Sequence, residues 1–583
     1  MKTNLSTQTH APGYDKEFIR LCRHLPLQKR KIIIREVDYE NSSAWMFYMG
    51  LGKEKGALVV VDRFTIFPLS LARVCNHVIV YGMPEQGKKL LEMVLQRNGV
   101  ENCSCVSDLE SIATQFDLIV FKNSLQSANG TSLEELKKYS HPDTEFWALA
   151  ENGFNFGKFK KYIKNFFVDV SDPNDTHEHL SKIYPGHPKK ILTVHEAQRQ
   201  FRELGVKPSA YIGFHPSIHY TKIAHPVNGS THSFKTNGTL GFRERMQITE
   251  LAIGASKRKF MQSLLGNLLD SLPETSLIAG KMLNFSVLAG GKVYVRASYK
   301  NHAKSEEVMI KLPLNRISEK RSKVNQMMLA FLKSSENDRL RNRVPLPIAE
   351  GRLENQPFFV ESIVPGAPMI EVSGYRQKPN QIAMHAFPFW LAIQRDFAKS
   401  VEVDEQIFER LIAKPVSKSL NFAFQDHPDT ELETLIFDYL RKHFLNKTFT
   451  LSIMHGDFSA KNIMFDARHD RICGIIDWDM ARLEAFPVLD VFHFFQHIRY
   501  ASKGMPKIQA MHHFIKNDSL FKKIVTMYQD AFKFNLEILN PLLIVYWAYR
   551  LSGRLGTLKF LDDSFVKRNC TKPLEFIRKM ISQ

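Results

Sequence analysis

Residues 448–479 read TFTLSIMHGDFSAKNIMFDARHDRICGIIDWD, and this stretch restricts the fold more than any other part of the 583-residue chain. Apolar residues lead into His455-Gly456-Asp457, so a strand delivers these three into a loop. Asn462 follows Asp457 by five residues, and Asp477 follows it by twenty, at the end of a second apolar run, Ile472 to Ile476. A β-hairpin of this length returns the chain beside its start, so the loop and the later strand end meet. These residue types suit phosphoryl transfer. Asp457 can orient an attacking hydroxyl and take its proton, while the Asn462 amide oxygen and the Asp477 carboxylate can hold Mg²⁺ against nucleotide phosphates.

His455-Gly-Asp-Phe-Ser-Ala-Lys-Asn462 and Ile476-Asp-Trp-Asp479 together resemble the aminoglycoside phosphotransferase and choline kinase-like family. Its hallmark is H-G-D-x-x-x-x-N followed by a strand ending in I-D-W/F-[DE]. The resemblance covers about residues 271–583 and implies an α+β, bilobal, protein-kinase-like domain that uses ATP and Mg²⁺. It makes Asp457 the catalytic base and Asn462 and Asp477 metal ligands, with His455 and Asp479 in structural support. Pro487-Val-Leu-Asp490 matches the family's downstream P-x-x-D, whose Asp braces the catalytic loop.

The other parts of such a domain occur in order upstream. Lys292 to Ser298 and Glu307 to Leu312 read as a hairpin, and Val308-Met-Ile-Lys311 resembles the V-A-I-K strand whose lysine reaches the nucleotide phosphates. Ala289-Gly290-Gly291-Lys292 forms either a phosphate-covering turn or a plain hairpin turn. Val324, Met327, Met328, Phe331 and Leu332 sit at helical spacing and read as core. The family's helix offers a Glu to the strand lysine, but here the register places Asn325, and Glu319 lies earlier. Phe358 to Gly366 resembles the family's hinge, which puts the backbone of Glu361 to Ile363 against adenine.

The N-terminal half carries a different pattern. Ala57 to Val61, His77 to Tyr81, Cys103 to Val106 and Phe116 to Phe121 are short apolar strands separated by helices, with Glu85 to Asn98 ending at Gly99. This alternation predicts an α/β, doubly wound sheet. Arg97-Asn-Gly-Val-Glu-Asn102 and Phe116-Asp-Leu-Ile-Val120 resemble class I S-adenosylmethionine-dependent methyltransferases, which would place Asp108 near the adenine of that cofactor. A nucleotide-type cofactor needs a glycine-rich turn after the first strand and an acid after the second. Val59 to Phe67 contains no glycine, and Gly82 or Met83 stands at the acid position. The sequence therefore reads as a degenerate methyltransferase-like domain, with S-adenosylmethionine binding left as an alternative.

These patterns divide the chain into a methyltransferase-like α/β domain at 1–220, a linker and connecting helix at 221–270, a small lobe at 271–368 and a helical large lobe at 369–583. The linker is read from the Pro-, Gly- and Asn-rich stretch Gly213 to Gly241, and the helix from Arg243 to Asp270. Six scattered cysteines do not make a disulfide scaffold, and no secretory signal or membrane-length apolar run occurs, so a cytoplasmic protein is expected. The formal charge of +19 favours an acidic partner without choosing one, and no nucleic-acid recognition motif accompanies it. The expected partner is a small-molecule or glycan hydroxyl acceptor. Two alternatives stand beside this kinase reading: a catalytically silent binding scaffold and a bifunctional methyltransferase-kinase.

Overall fold

Gly56-Ala-Leu-Val-Val-Val61 has no polar side chain, so it is stable as a strand only where both sheet faces are covered. In the computed structural model it is fully buried and lies inside a large sheet. The structure describes residues 16–26, 30, 33–34, 36–37, 46–47, 49–122, 133–151, 199, 201–203, 205–216, 220–224, 250–256, 284–288, 291–301, 304–336, 338–372, 379–424, 429–499, 507–553 and 558–583. The chain forms two compact units. One comprises Arg35–Glu319 and Ala349–Val360, the other Met1–Ile34, Lys320–Ile348 and Glu361–Gln583.

In the first unit, β1 (Gly56–Val61), β2 (His77–Tyr81), β3 (Cys103–Val106), β4 (Phe116–Lys122) and β5 (Ser140–Glu151) are parallel neighbours in the order β3-β2-β1-β4-β5. This is the doubly wound pattern, and its order reverses between β1 and β4. The helix Glu85–Arg97 buries Leu90, Leu91, Val94 and Leu95, and the chain leaves it through Gly99 at φ 65°. Leu58, Val60, Phe116, Ile119, Phe121, Phe146 and Phe201 form the core on one face of the sheet.

Two expectations fail beyond β5. Part of the supposed linker supplies the end of β6 (Lys207–Pro216) and all of β7 (Tyr220–Ala224), which pair antiparallel. Within the segment read as a connecting helix, β8 (Glu250–Ser256) is a strand inserted antiparallel between β5 and β6. Hydrogen bonds on both edges outweigh a weak helical pattern. The rest of both segments lies outside the described residues. The sheet continues through β9 (Asn284–Leu288), β10 (Lys292–Asn301) and β11 (Lys304–Pro313), all antiparallel, and then through β13 (Gln356–Ser362) and β12 (Pro347–Leu353).

The second unit is mostly helical around one large core that includes Phe387, Trp390, Phe458, Trp478, Phe494 and Tyr528. Its strands form two small sheets. β14 (Ala367–Pro368), β17 (Ile463–Asp466) and β18 (Arg471–Ile475) make one, and β15 (Lys399–Glu402), β16 (Thr448–Met454) and β19 (Arg482–Ala485) make the other. The helix Arg316–Ser334, which enters this unit at Lys320, corrects the expected core stripe. Met327 and Phe331 are exposed, at 61% and 41%, whereas Ser322, Asn325, Met328, Leu329 and Leu332 are buried. The inward face is therefore turned toward the polar Asn325.

Candidate active site

The ends of two strands build the site. β16 hands the chain to His455, and the β17–β18 hairpin brings it back to Ile475. The Ile476 amide donates to the Asn462 carbonyl at 2.9 Å, and a ring nitrogen of His455 lies 3.0 Å from the Ile476 carbonyl. These two contacts join the loop carrying Asp457 and Asn462 to the strand end carrying Asp477. Gly456 has φ 78°, and a Cβ there would lie 2.3 Å from the Met480 carbonyl oxygen, so only glycine fits. Asp477 itself occupies the left-handed region at φ 65°, a conformation that costs energy in a non-glycine residue and gathers at functional sites.

Asn462 Nδ2 donates to both the carbonyl (2.9 Å) and a carboxylate oxygen (3.0 Å) of Asp457. Its amide nitrogen is thereby committed, and among the described residues nothing donates to its Oδ1. An uncommitted amide oxygen beside a carboxylate at the adjoining strand end is the hard-oxygen donor set that suits Mg²⁺.

Asp457 lies in a basic surround. His493 Nε2 is 2.8 Å from Asp457 Oδ1, close but not well aligned as a hydrogen bond, and Arg550 Nη1 is 3.6 Å from the same oxygen. Burial alone would raise the Asp457 carboxyl, but His493, Arg550 and His497 hold it well below the usual carboxylate range. His493 is 1% exposed, and burial together with Arg550 pushes it down to about 3, so it is neutral at physiological pH. Asp457 is therefore ionised at physiological pH, with a neutral imidazole beside it.

Asp490, fully buried, accepts from the backbone amides of His455 and Gly456, each at 2.9 Å, and from the Trp390 indole at 3.1 Å. Burial raises its carboxyl to about 6 against these hydrogen bonds. Asn325 donates to Glu361 at 2.9 Å and accepts from the Trp478 amide at 2.9 Å, tying Glu361 of β13 to the Asp477–Asp479 segment. Glu319 pairs with Arg352. Ile363 and Asp479 are half-buried.

The remaining kinase-type candidates belong to the sheet unit. Lys311 is 2% exposed on β11, in register with Tyr294 of β10, and its ammonium lies 5.9 Å from that ring's centroid. Gly291 has φ 79°, and a Cβ there would meet Asn315 at 2.2 Å. Its carbonyl accepts from the Leu314 amide and the Ser318 hydroxyl, so a turn built on local packing explains this glycine. Gly290 lies outside the described residues.

Phe64, in the turn after β1, and Met83, in the turn after β2, both lie against Gly87 of the helix Glu85–Arg97. A Cβ added to Gly87 would lie 3.5 Å from Phe64 Cβ and 3.1 Å from Met83 Cγ. Asp108 is exposed and uses its carboxylate to accept the Glu110 amide, capping the turn that follows. Asp457 and Asn462 are thus in contact and Asp477 follows the Ile476 amide that bonds Asn462, while Asp108 belongs to the other unit.

Sequence reading missed His493 and Arg550. A signal existed for the first, because Asp490, His493 and His497 are spaced i, i+3, i+7 along the helix Val488–Arg499 and share one face. Arg550 is 93 residues from Asp457 in sequence, and only the fold brings them together.

Residues 335–506 match the family model described as the phosphotransferase enzyme family. No curated protein is matched by the sequence. Among solved structures, the aminoglycoside phosphotransferase APH(3'')-Id from Streptomyces rimosus is 12% identical, with 45% of this chain and 90% of that one covered at a TM-score of 0.29. An aminoglycoside-3'-phosphotransferase of type VIII is 15% identical over 46% and 92%, at 0.30. A putative methyltransferase from Streptococcus mutans, in complex with SAH, is 11% identical over 38% and 98%, at 0.18.

Proposed function

We propose, from the phosphotransferase family match over residues 335–506, that this chain transfers the γ-phosphoryl group of ATP to a hydroxyl of a small molecule or glycan. The observation carrying the reading is the Asp457 carboxylate, oriented by Asn462 and held deprotonated beside His493 and Arg550. Asp457 would receive the acceptor hydroxyl through one oxygen and take its proton as the oxygen–phosphorus bond forms and the bond from the γ-phosphorus to the ADP oxygen breaks, releasing ADP. Asp490 fixes the loop, so that the carboxylate cannot drift from the line of attack. Asn462 and Asp477 would hold Mg²⁺, which when bound neutralises charge on the transferring phosphoryl group. Lys311 is assigned to the nucleotide phosphates and the backbone of Glu361 to Ile363 to adenine.

The N-terminal domain is proposed as a binding or scaffolding element. The packing of Phe64 and Met83 supports this over methyl transfer. Incubating the protein with γ-¹⁸O-labelled ATP and a cell metabolite extract, followed by mass spectrometry, tests the proposed activity. A labelled phosphomonoester that requires Mg²⁺ supports it. ATP consumption that yields only labelled inorganic phosphate contradicts it.

A further inference from the structure

Arg550 reaches the base with one end of its guanidinium only. Its Nη1 donates to the Gly456 carbonyl at 3.0 Å and lies 3.6 Å from Asp457 Oδ1. Its Nε is buried and has no hydrogen-bond partner among the described residues. A buried guanidinium nitrogen left unsatisfied is costly, and the Nε–Nη2 edge is the one that grips an oxyanion with two parallel hydrogen bonds.

The surroundings fit such a ligand. Arg550 shares a pocket with Arg568, Gln496, Tyr546, Trp547 and Asn569, and no carboxylate lines it. Arg568 spends its Nε on the Ser564 carbonyl at 3.0 Å, and among the described residues its two terminal nitrogens have no partner. The Tyr546 hydroxyl donates to Gln496 at 2.9 Å and the Trp547 indole to the Asn569 carbonyl at 2.9 Å, which fixes both rings. Asp457 offsets part of the Arg550 charge, and Arg568 leaves the pocket net positive, which repels a cationic amine and attracts an oxyanion.

We infer that the phosphoryl acceptor is anionic, and that Arg550 and Arg568 bind its carboxylate or phosphate group in this pocket. The inference rests on the phosphotransferase reading and adds the acceptor's charge class. Because one planar guanidinium joins the pocket to the base, the acceptor's anionic group and its reacting hydroxyl lie only a few bonds apart. Arg550 thus both places the acceptor and helps keep Asp457 ionised.

Calorimetry on the full chain tests this, with and without ADP and Mg²⁺, using D-glucuronate and D-glucose 1-phosphate against D-glucose and choline. The two anionic probes separate a carboxylate from a phosphate preference. At least one anion is expected to bind while glucose and choline do not. Arg568→Ala, at an exposed side chain that leaves the Tm unchanged, is expected to weaken that anion about tenfold, as loss of one charge-assisted contact predicts. Arg568→Lys should recover part of the loss. Binding of neither anion, equal binding of glucose or choline, or an Arg568→Ala variant that holds the anion as tightly overturns the inference. Failure to bind ADP with Mg²⁺ contradicts the phosphotransferase reading instead, since the acceptor titration without nucleotide is read separately.

Discussion

At the scale of single residues, Asn325 shows how a departure from a family pattern can be structural. Where a Glu would face the strand lysine, this chain has an amide that satisfies both Glu361 and the Trp478 backbone. Asn325→Ala leaves a buried carboxylate and a buried N–H without that partner, and should cost about 3 kcal/mol, read as a lower denaturant midpoint. Asn325→Glu, which restores the family residue, should lower stability further and leave ATP turnover no higher, because it sets a second carboxylate against Glu361. A gain in turnover would contradict the bridging role. Asp490 predicts a pH dependence. Its carboxyl is raised from an ordinary 3.8 to about 6, so between those values the folded chain keeps a proton that the unfolded chain has lost. Its stabilisation is complete below pH 4 and disappears as pH rises through 6, a change of about 3 kcal/mol at most. Asp490→Asn should flatten this part of the stability profile; an unchanged slope over pH 4–6 would assign it to other groups.

At the scale of elements, the loop carrying Asp457 depends on a turn that admits no side chain. Gly456→Ala meets both a positive φ and the Met480 carbonyl at 2.3 Å, whereas Gly99→Ala meets a positive φ of 65° with nothing within 4 Å. The first should displace Asp457 and lower turnover by about 10² or more. The second should cost about 1 kcal/mol and leave turnover intact. Similar turnover in the two variants would mean that the turn does not position the base. The same contrast explains what could be read before the fold was known. The strand, loop and hairpin return that carry Asp457, Asn462 and Asp477 were legible because they are local patterns with fixed spacing. The parallel strands β1 to β4 were legible because apolar runs bounded by helices have few other uses. β8 was not, since its identity depends on two partners distant in sequence, nor was the inward turn of Asn325, since a polar residue on a buried helix face carries no apolar signal. Arg550 could not have been found from spacing at all.

At the scale of the whole molecule, a doubly wound sheet and a phosphotransferase-type site share one chain, and only the second carries the proposed chemistry. The glycine-free turn after β1, with Phe64 and Met83 packed near Gly87, predicts that S-adenosylmethionine at millimolar concentration neither releases heat in calorimetry nor raises the Tm. Micromolar binding would reinstate the bifunctional alternative. Among the described residues no helix is long and apolar enough to cross a membrane. The central claim is that the carboxylate at 457 accepts the acceptor's proton, and its most direct test is the turnover of full-length Asp457→Asn on the acceptor named by isotope transfer. The account predicts unchanged binding of ADP with Mg²⁺ and a kcat lowered about 10²–10⁴-fold; a variant that turns over at the parent rate would contradict it.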